Sequence, residues 1–349
     1  MKWIDVAQTL SLPLIPLYWL PVRLRNLFFD VGIFPSKKVA ARIVSVGNIT
    51  VGGAGKTPMS IYVLKTLQAM QKSVAVLSRG YGRESEGYVL VSDGKKIVAG
   101  VDEAGDEMYL TALECQCPAA VCEKRVEGAE KLIEAFHPEV IVLDDAFQHR
   151  WIARDADIVL FDQRFLTRAN RLRKLPLPTG SLRESFGMLK RADCIVINRK
   201  FAQKEDALER IQHYIVGKAV FHAYYRAVGF VDVRNGRVYE SKDFQGQVSL
   251  AVCGIAFPHS FFNALDSAGI SHEHRLLFVD HKRYSIEEVQ RIRKEFYAKN
   301  CYSVVTTQKD AVKLMQFKKE LDDIDIYYLK IELVIEEESA FAEYLKSKL

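Results

Sequence analysis

The chain has 349 residues, of which 49% are hydrophobic and 27% charged, and a formal net charge of +5. That length predicts two domains, and the balance is that of an ordinary soluble globular protein, which excludes fibrous and low-complexity classes. Of six cysteines only Cys115 and Cys117 are close together, in a C-x-C spacing that excludes a C-x-x-C zinc or redox motif; the cysteines read as buried apolar residues in a reducing compartment.

Residues 1–35 form an apolar N-terminal segment. Val6 to Val22 is uncharged and rich in Leu, Ile, Trp and Tyr, is broken by Pro13, Pro16 and Pro21, and is followed by Arg23 and Arg25. A spanning helix wants about 20 apolar residues, and Asp5 and the lack of a small-x-small site argue against a signal peptide. Two readings stay open. One is a helix buried against the core. The other is an interfacial element with Trp3, Tyr18, Trp19 and Arg23 near lipid head groups.

"ARIVSV" from Ala41 reads as a strand, and "PMSIYVLKTLQAMQ" has helical spacing with Ile61, Leu64 and Leu67 on one face. "SVAVLS", "EVIVLDD", "ADIVLFD" and "ADCIVINR" are four further short apolar runs. Runs of this kind, alternating with helical segments, predict an α/β fold with a buried, mostly parallel sheet over 36–225. The texture then changes. "YYRAVGFVDV" and "RVYES" flank Asn235-Gly236, a hairpin signal placed here as a two-stranded linker over 226–245. "SLAVCGIA" and "SVVTTQKD" predict a smaller α/β domain over 246–349.

Between the first strand and helix lies "TVGGAGKTP", which departs from G-x-x-x-x-G-K-[ST] by Thr50 in place of the first glycine. Thr50, Val51, Gly52, Gly53, Ala54 and Gly55 would wrap phosphate oxygens with backbone amides, Lys56 would meet the β/γ-phosphates, and Thr57 would meet Mg²⁺. A structural turn with an incidental lysine is the plain alternative. Asp144 and Asp145 end an apolar strand, where carboxylates can hold a cation, although an aspartate there can also cap a helix. Asp106 and Glu107 form a second acidic pair. Alone it reads as an exposed helix start, but a kinase needs a carboxylate of this kind to deprotonate the attacking hydroxyl. His281 and His149 stand beside acids or strand ends, where packed histidines are also common. Arg164, Arg168, Arg171, Arg173, Lys174, Arg183, Lys190 and Arg191 share one stretch with Glu184 as its only acid. It is either a solvated basic loop or a surface for phosphate groups or anionic lipid.

The ordered set "VGNITVGGAGKTP", "SRGYGR", "AGDE", "LDDAFQHR", "PTGSLRE", "VDHKRY" and "TTQKDAVK" spans roughly residues 45 to 313 and resembles the tetraacyldisaccharide 4′-kinase family. Thr50 is then a family trait. The resemblance implies a P-loop NTPase-like domain and a smaller α/β domain joined by a two-stranded linker. It also implies transfer of the ATP γ-phosphate, with Mg²⁺, to the 4′-hydroxyl of tetraacyldisaccharide 1-phosphate in lipid A biosynthesis. The expected place is the cytoplasmic face of the bacterial inner membrane, on its surface, with no nucleic acid and no obligate protein partner. Asp106 is implied as the base acting with His281. Glu107, Asp144 and Asp145 are implied around metal and phosphates, and Arg125, Gln148, Arg183 and Glu184 as further contacts to substrate or phosphate. Ala146 and Gln308 depart from the family's usual Gly and Glu, and Ala54 stands where Thr or Ser is frequent. A nucleotide-dependent switch or metallochaperone is the rival reading. It rests on the loop alone, since Val51 is not the lysine many such ATPases carry, and "INRKF" and "TTQKD" both fail the [NT]-K-x-D pattern of guanine readers.

Overall fold

A computed structural model describes residues 8–349 apart from residues 210, 256 and 281. Its strands are β1 (Arg42–Gly47), β2 (Val74–Ser78), β3 (Val89–Asp93), β4 (Pro118–Val121), β5 (Val140–Asp144), β6 (Ala156–Asp162), β7 (Cys194–Asn198), β8 (Ala219–Asp232), β9 (Val238–Tyr239), β10 (Ser249–Cys253), β11 (His274–Leu277), β12 (Ser303–Thr307) and β13 (Ile326–Ile335). They form one mixed sheet in the order β11-β10-β12-β13-β8-β7-β6-β1-β5-β2-β4-β3, with β9 beside β8. All neighbours are parallel except β3/β4, β8/β9 and β8/β13.

The parallel strands are continuous apolar runs because both faces of the sheet are covered. Ile43 points into one core layer with Ala75, Leu77 and Leu143, while Val44 and Val46 point into the other with Val63, Leu64 and Leu67. The last three lie on helix α1 (Lys56–Ala69), which leaves the loop after β1. Strand β1 pairs with β5 on one side and β6 on the other. Its register sets Val46 opposite Asp144, so the acidic end of β5 lies directly beside the glycine loop. In open α/β sheets the crevice past such carboxyl ends is where ligands bind.

The Asn235-Gly236 turn forms, but its second arm is only the two-residue β9. The long antiparallel partner of β8 is β13, which pairs with it from Tyr327 to Ile335 across a bulge between Lys330 and Ile331. Residues 226–245 thus hold the end of β8 and the short β9, while the long partner of β8 comes from the chain's far end. The stretch 246–349 also divides. Its β10–β12 segment builds a separate core around Leu250, Val252, Ile292 and Val304. Its last helix, Glu338–Lys348, returns to the first core, where Phe341 meets Tyr62 and Phe221 at ring-centroid distances of 5.7 and 5.1 Å. Apolar area drives this return, since Phe341 and Leu345 are fully buried there.

Near the N-terminus a helix runs from Ile15 to Asp30 straight through Pro21. Its inward side is polar and aromatic: Asn26 and Phe29 are buried, and Tyr18 donates to the Arg183 carbonyl at 3.2 Å. Leu17, Leu20, Leu24 and Leu27 recur at helical spacing on the outside, each 43% or more exposed. No described helix is long and apolar enough to cross a membrane.

Replacing Phe341 with alanine should remove about 3–5 kcal/mol of stability, the usual cost of a fully buried aromatic. Urea unfolding should show a lower midpoint with an unchanged slope; an unchanged midpoint would mean that the last helix does not dock on the first core.

Candidate active site

The glycine loop is shaped by its neighbours. Gly47, where β1 ends, has the backbone of Phe147 across it; a Cβ there would lie 2.6 Å from the Phe147 Cβ. Gly55 caps helix α1 with φ of +97°, and a Cβ on it would lie 2.4 Å from the Tyr225 hydroxyl. Both positions demand glycine for packing, and Gly55 demands it for backbone freedom as well. Between them, Val51 N–H donates to Ser181 O at 2.7 Å and Arg183 N–H donates to Ile49 O at 2.8 Å. The "PTGSLRE" segment thus clips the loop from one side, with Thr50 bridged to Leu182. Asn198, at the end of β7, holds it from another by donating to Ala54 O at 3.2 Å.

Lys56 and Thr57 open helix α1, whose first turn carries no acid. Lys56 Nζ lies 3.6 Å from Asp145 Oδ2. Arg183 grips the same carboxylate with both guanidinium nitrogens, at 3.2 and 2.8 Å, and also bonds Asn48 Oδ1. Burial raises the pKa of Asp145, but the charges of Lys56 and Arg183 outweigh it and hold the carboxyl below its ordinary value. Asp145 sits in the left-handed region, with φ of 48°, so its side chain turns away from the line of β5. Ala146 follows it as a buried residue whose N–H reaches Val46 O. Here the strained conformation falls on the aspartate. Asp144 is buried, accepts from Ser60 Oγ at 2.8 Å, and is pushed upward in pKa by burial and then by the charges of Glu107 and Asp145.

A cleft of about 1620 Å³ opens between the two halves of the sheet. Thr50–Gly53, Gly55–Thr57, Glu107, Asp145 and Arg183 line it, and Arg168 and Arg173 from the basic stretch stand on its wall. Glu107 receives Lys309 Nζ at 2.8 Å, a pairing the sequence reading missed although Lys309 lies within "TTQKDAVK". Asp106 starts the same helix, Asp106–Cys115, but successive helical residues point about 100° apart. It faces a smaller recess with Tyr81, Arg283 and Tyr284, with Lys313 Nζ 3.8 Å away. His281 lies outside the described residues, as does Trp3.

The other expected contacts are placed elsewhere. Arg125 is buried and donates to Cys122 O and Glu123 O at 3.1 and 3.2 Å; burial pulls its pKa down to about 10 while Asp145 and Asp144 support its charge. Gln148 donates to Asn48 O at 2.8 Å and to Glu184 at 3.3 Å. The Glu184 side chain is fully buried and accepts from Asn26 and Arg191, each at 2.7 Å. These three do not line the cleft; they brace it from beneath, and Glu184 ties the N-terminal helix to the core. His149 is half-buried near Arg125 and Arg154, and its pKa is pushed down to about 3, chiefly by desolvation and then by the charges of those arginines. Much of the basic stretch is also spoken for: Lys190 pairs with Asp30 and Arg168 with Glu205. Gln308 donates to Glu114 Oε1 at 2.7 Å, where a glutamate would meet a like charge.

Among the described residues, the single group of metal-ligating side chains gathered within reach of one another is His222, Glu336 and Glu337. There Glu336 is already paired with Arg199 and Lys204. The acids by the loop form no closed cage. Magnesium needs none, because it is commonly held by one or two carboxylates and the substrate's phosphates.

A family model described as "Tetraacyldisaccharide-1-P 4'-kinase" matches residues 7–349. A relative named tetraacyldisaccharide 4'-kinase from Halothermothrix orenii is 36% identical over 336 residues, covering 91% of this chain and 86% of that one. Another of that name, from Chlorobium phaeovibrioides, is 36% identical over 329 residues, covering 92% and 91%. A crystal structure titled as LpxK from Aquifex aeolicus in complex with ATP aligns at a TM-score of 0.79 and 28% identity, covering 98% of this chain and 99% of that one. The chain belongs to the tetraacyldisaccharide 4'-kinase family.

Proposed function

We propose that this protein transfers the γ-phosphate of ATP to the 4′-hydroxyl of tetraacyldisaccharide 1-phosphate, giving lipid IVA in lipid A biosynthesis. The observation that carries this reading is the β1/β5 register, which sets a glycine loop with Lys56 and Thr57 beside Asp144 and Asp145 at one cleft. The loop amides and the acid-free start of helix α1 suit an anion. Lys56 would hold the β/γ-phosphates, with Arg183 keeping Asp145 turned toward it. Thr57, Asp144, Asp145 and Glu107 would hold magnesium; Asp144 is raised first by burial and then by the charges of Glu107 and Asp145, and a divalent cation would relieve that crowding. Magnesium when bound supplies positive charge against the phosphate oxygens and the leaving group.

In the reaction the bond from the γ-phosphorus to the β-bridging oxygen breaks as the bond to the sugar 4′-oxygen forms. Asp106 accepts the 4′-hydroxyl proton, acting with His281. Residues 36–225 serve as the nucleotide-binding half and the β10–β12 region as the second half. Closure about the β8/β13 joint would exclude water from the transfer. Arg173 on the cleft wall is the part of the basic stretch offered to the lipid's 1-phosphate, since Arg168 beside it is paired with Glu205. The N-terminal helix lies on the cytoplasmic face of the inner membrane. Its outward leucines enter the lipid boundary, and Arg23, 4.8 Å over the Trp19 ring, sits at head-group level.

Asp106→Ala should lower turnover by roughly 100-fold or more, the ordinary worth of a general base. Its affinity for ATP should stay near wild type. Transfer of labelled phosphate to the dispersed lipid, alongside equilibrium nucleotide binding, checks this; turnover close to wild type would assign the proton to another group.

Changing Leu17, Leu20, Leu24 and Leu27 together to serine should reduce sedimentation with anionic phospholipid vesicles and leave the fold's melting temperature nearly unmoved. Undiminished vesicle binding would rule the helix out as the membrane contact.

A further inference from the structure

Lys309 is the single lysine or arginine that the chain beyond residue 246 contributes to the cleft lining among the described residues. Its position is fixed by the short helix Gln308–Leu314. Thr307 Oγ1 caps that helix by accepting from Asp310 N–H at 3.1 Å. The Asp310 carboxylate in turn accepts from Gly254 N–H at 2.9 Å and from Thr307 Oγ1 at 2.7 Å, and pairs with Lys313 at 3.1 Å. Gln308 fastens to Glu114. These contacts leave the base of Lys309 little freedom, while its ammonium reaches across the seam to Glu107.

That partner is the reason to assign Lys309 more than a strut. Glu107 faces the cleft and belongs to the same crowded acid group as Asp144. Lys56 meets that group from the glycine loop, 3.6 Å from Asp145, and Lys309 meets it from the chain beyond residue 246, 2.8 Å from Glu107. A carboxylate drawn to a divalent cation has less charge to offer an ammonium, and a lysine ammonium has three donors to place. In phosphoryl transfer, charge spreads over three equatorial oxygens, and a cation supplied from a second element is a recurring way of meeting it.

We propose that Lys309 is a catalytic residue whose ammonium contacts the transferring phosphoryl group, exchanging its Glu107 contact for phosphoryl oxygens as the transfer proceeds. The proposal rests on the kinase reading above. No bond to Lys309 forms or breaks and it keeps its proton; the 4′-oxygen gains the phosphoryl group, ADP leaves, and the hydroxyl proton goes to Asp106. Because the lysine comes from the second half, the charge is complete only when both halves meet at the seam. ATP bound to an open cleft would lack it and hydrolyse slowly.

The full-length protein with Lys309→Met, Lys309→Gln and Lys309→Arg tests this. Lys330→Met serves as a control, because it removes another lysine–glutamate pair across the same seam, Lys330 to Glu114 at 3.1 Å, whose lysine is not part of the cleft lining although Glu114 is. Steady-state transfer gives kcat and KM for ATP. Calorimetry gives affinities for magnesium ADP with aluminium fluoride, which mimics the transferring phosphoryl, and for a non-hydrolysable ATP analogue. The expected result is a kcat roughly 100-fold or more lower in the Met and Gln variants, with KM for ATP within about threefold of wild type. The fluoride complex should weaken by a similar factor while the ATP analogue does not, and the Arg variant should recover part of the loss. The Gln variant retains a donor toward Glu107, so it reads the missing charge even if the Met variant is too unstable to purify. A kcat within about tenfold of wild type in the Gln variant, equal weakening of both nucleotide complexes, or an equal loss in Lys330→Met would each overturn the assignment. Absence of transfer by the wild type would instead overturn the kinase reading, and the two binding measurements would still decide the role of Lys309.

Discussion

Asp145 is the residue on which the site's geometry depends. A carboxylate at the floor of a cleft is costly unless it is paired, and a broken pair costs more than no pair at all. Asp145 has two cations, Lys56 from the phosphate loop and Arg183 from the segment that clips that loop. Neither cation is placed independently. Lys56 follows Gly55, whose left-handed turn fits only under Tyr225, and Arg183 follows Leu182, which is bridged to Thr50. The left-handed backbone at Asp145 is held by these contacts, because local strain persists only where surrounding structure over-determines it. Three stretches far apart in the chain therefore meet at one side chain. Disturbing any of them would misplace Lys56, the lysine proposed to hold phosphate.

The same network reaches the N-terminal helix. Arg183 bonds Asn48, Gln148 bonds both Asn48 and Glu184, and Glu184 bonds Asn26 of that helix. Glu184 is a fully buried acid, and Arg191 at 2.7 Å supplies its neutralising charge. Gln148 Oε1, Arg183 Nε and Arg191 Nε have no partner within it, but the remaining bonds tie the helix to the loop through enclosed polar groups.

What the residues disclosed on their own follows from the range of the forces involved. The loop and its flanking strand and helix are local patterns, and so are Asp144 and Asp145 at the end of an apolar run. All were legible, and the β1/β5 register then joined them. The five apolar runs through residue 199 are β1, β2, β5, β6 and β7 to within a residue or two at either end. The antiparallel edge of the sheet was not legible, because β3 and β4 are short and carry no clear alternation. Nor was the joint. Asn235-Gly236 announces a turn, but nothing near it says that β8 will pair with β13 close to the other end of the chain. Arg125, Gln148 and Glu184 were named through a resemblance of motifs. Motif order cannot separate a residue that lines a cleft from one buried just behind it, since both are constrained by the same site. Lys309 sat inside a quoted motif without a role, because its partner Glu107 lies in the other half of the molecule.

The N-terminal helix shows how a pattern can be read correctly in composition and still mislead about geometry. Its prolines argue against a long apolar helix, yet Pro13 and Pro16 stand in the first turns of their helices, where no N–H is needed. Pro21 lies inside, and the helix continues past it. A helix on a water-soluble core ordinarily turns leucines inward and polar groups outward. Here Asn26 is buried and Leu17, Leu20, Leu24 and Leu27 are out. The inversion is stable on the protein side because inward polar groups have partners, Asn26 with Glu184 and Tyr18 with the Arg183 carbonyl, and the exposed Asp30 at the helix end adds pairs with Arg150 and Lys190. On the outer side there is no such compensation in water, and an exposed stripe of this kind marks a surface that binds something apolar. Under the proposed function that something is the lipid layer holding the acyl-bearing acceptor, and the polar network would then fix the distance from that layer to the glycine loop.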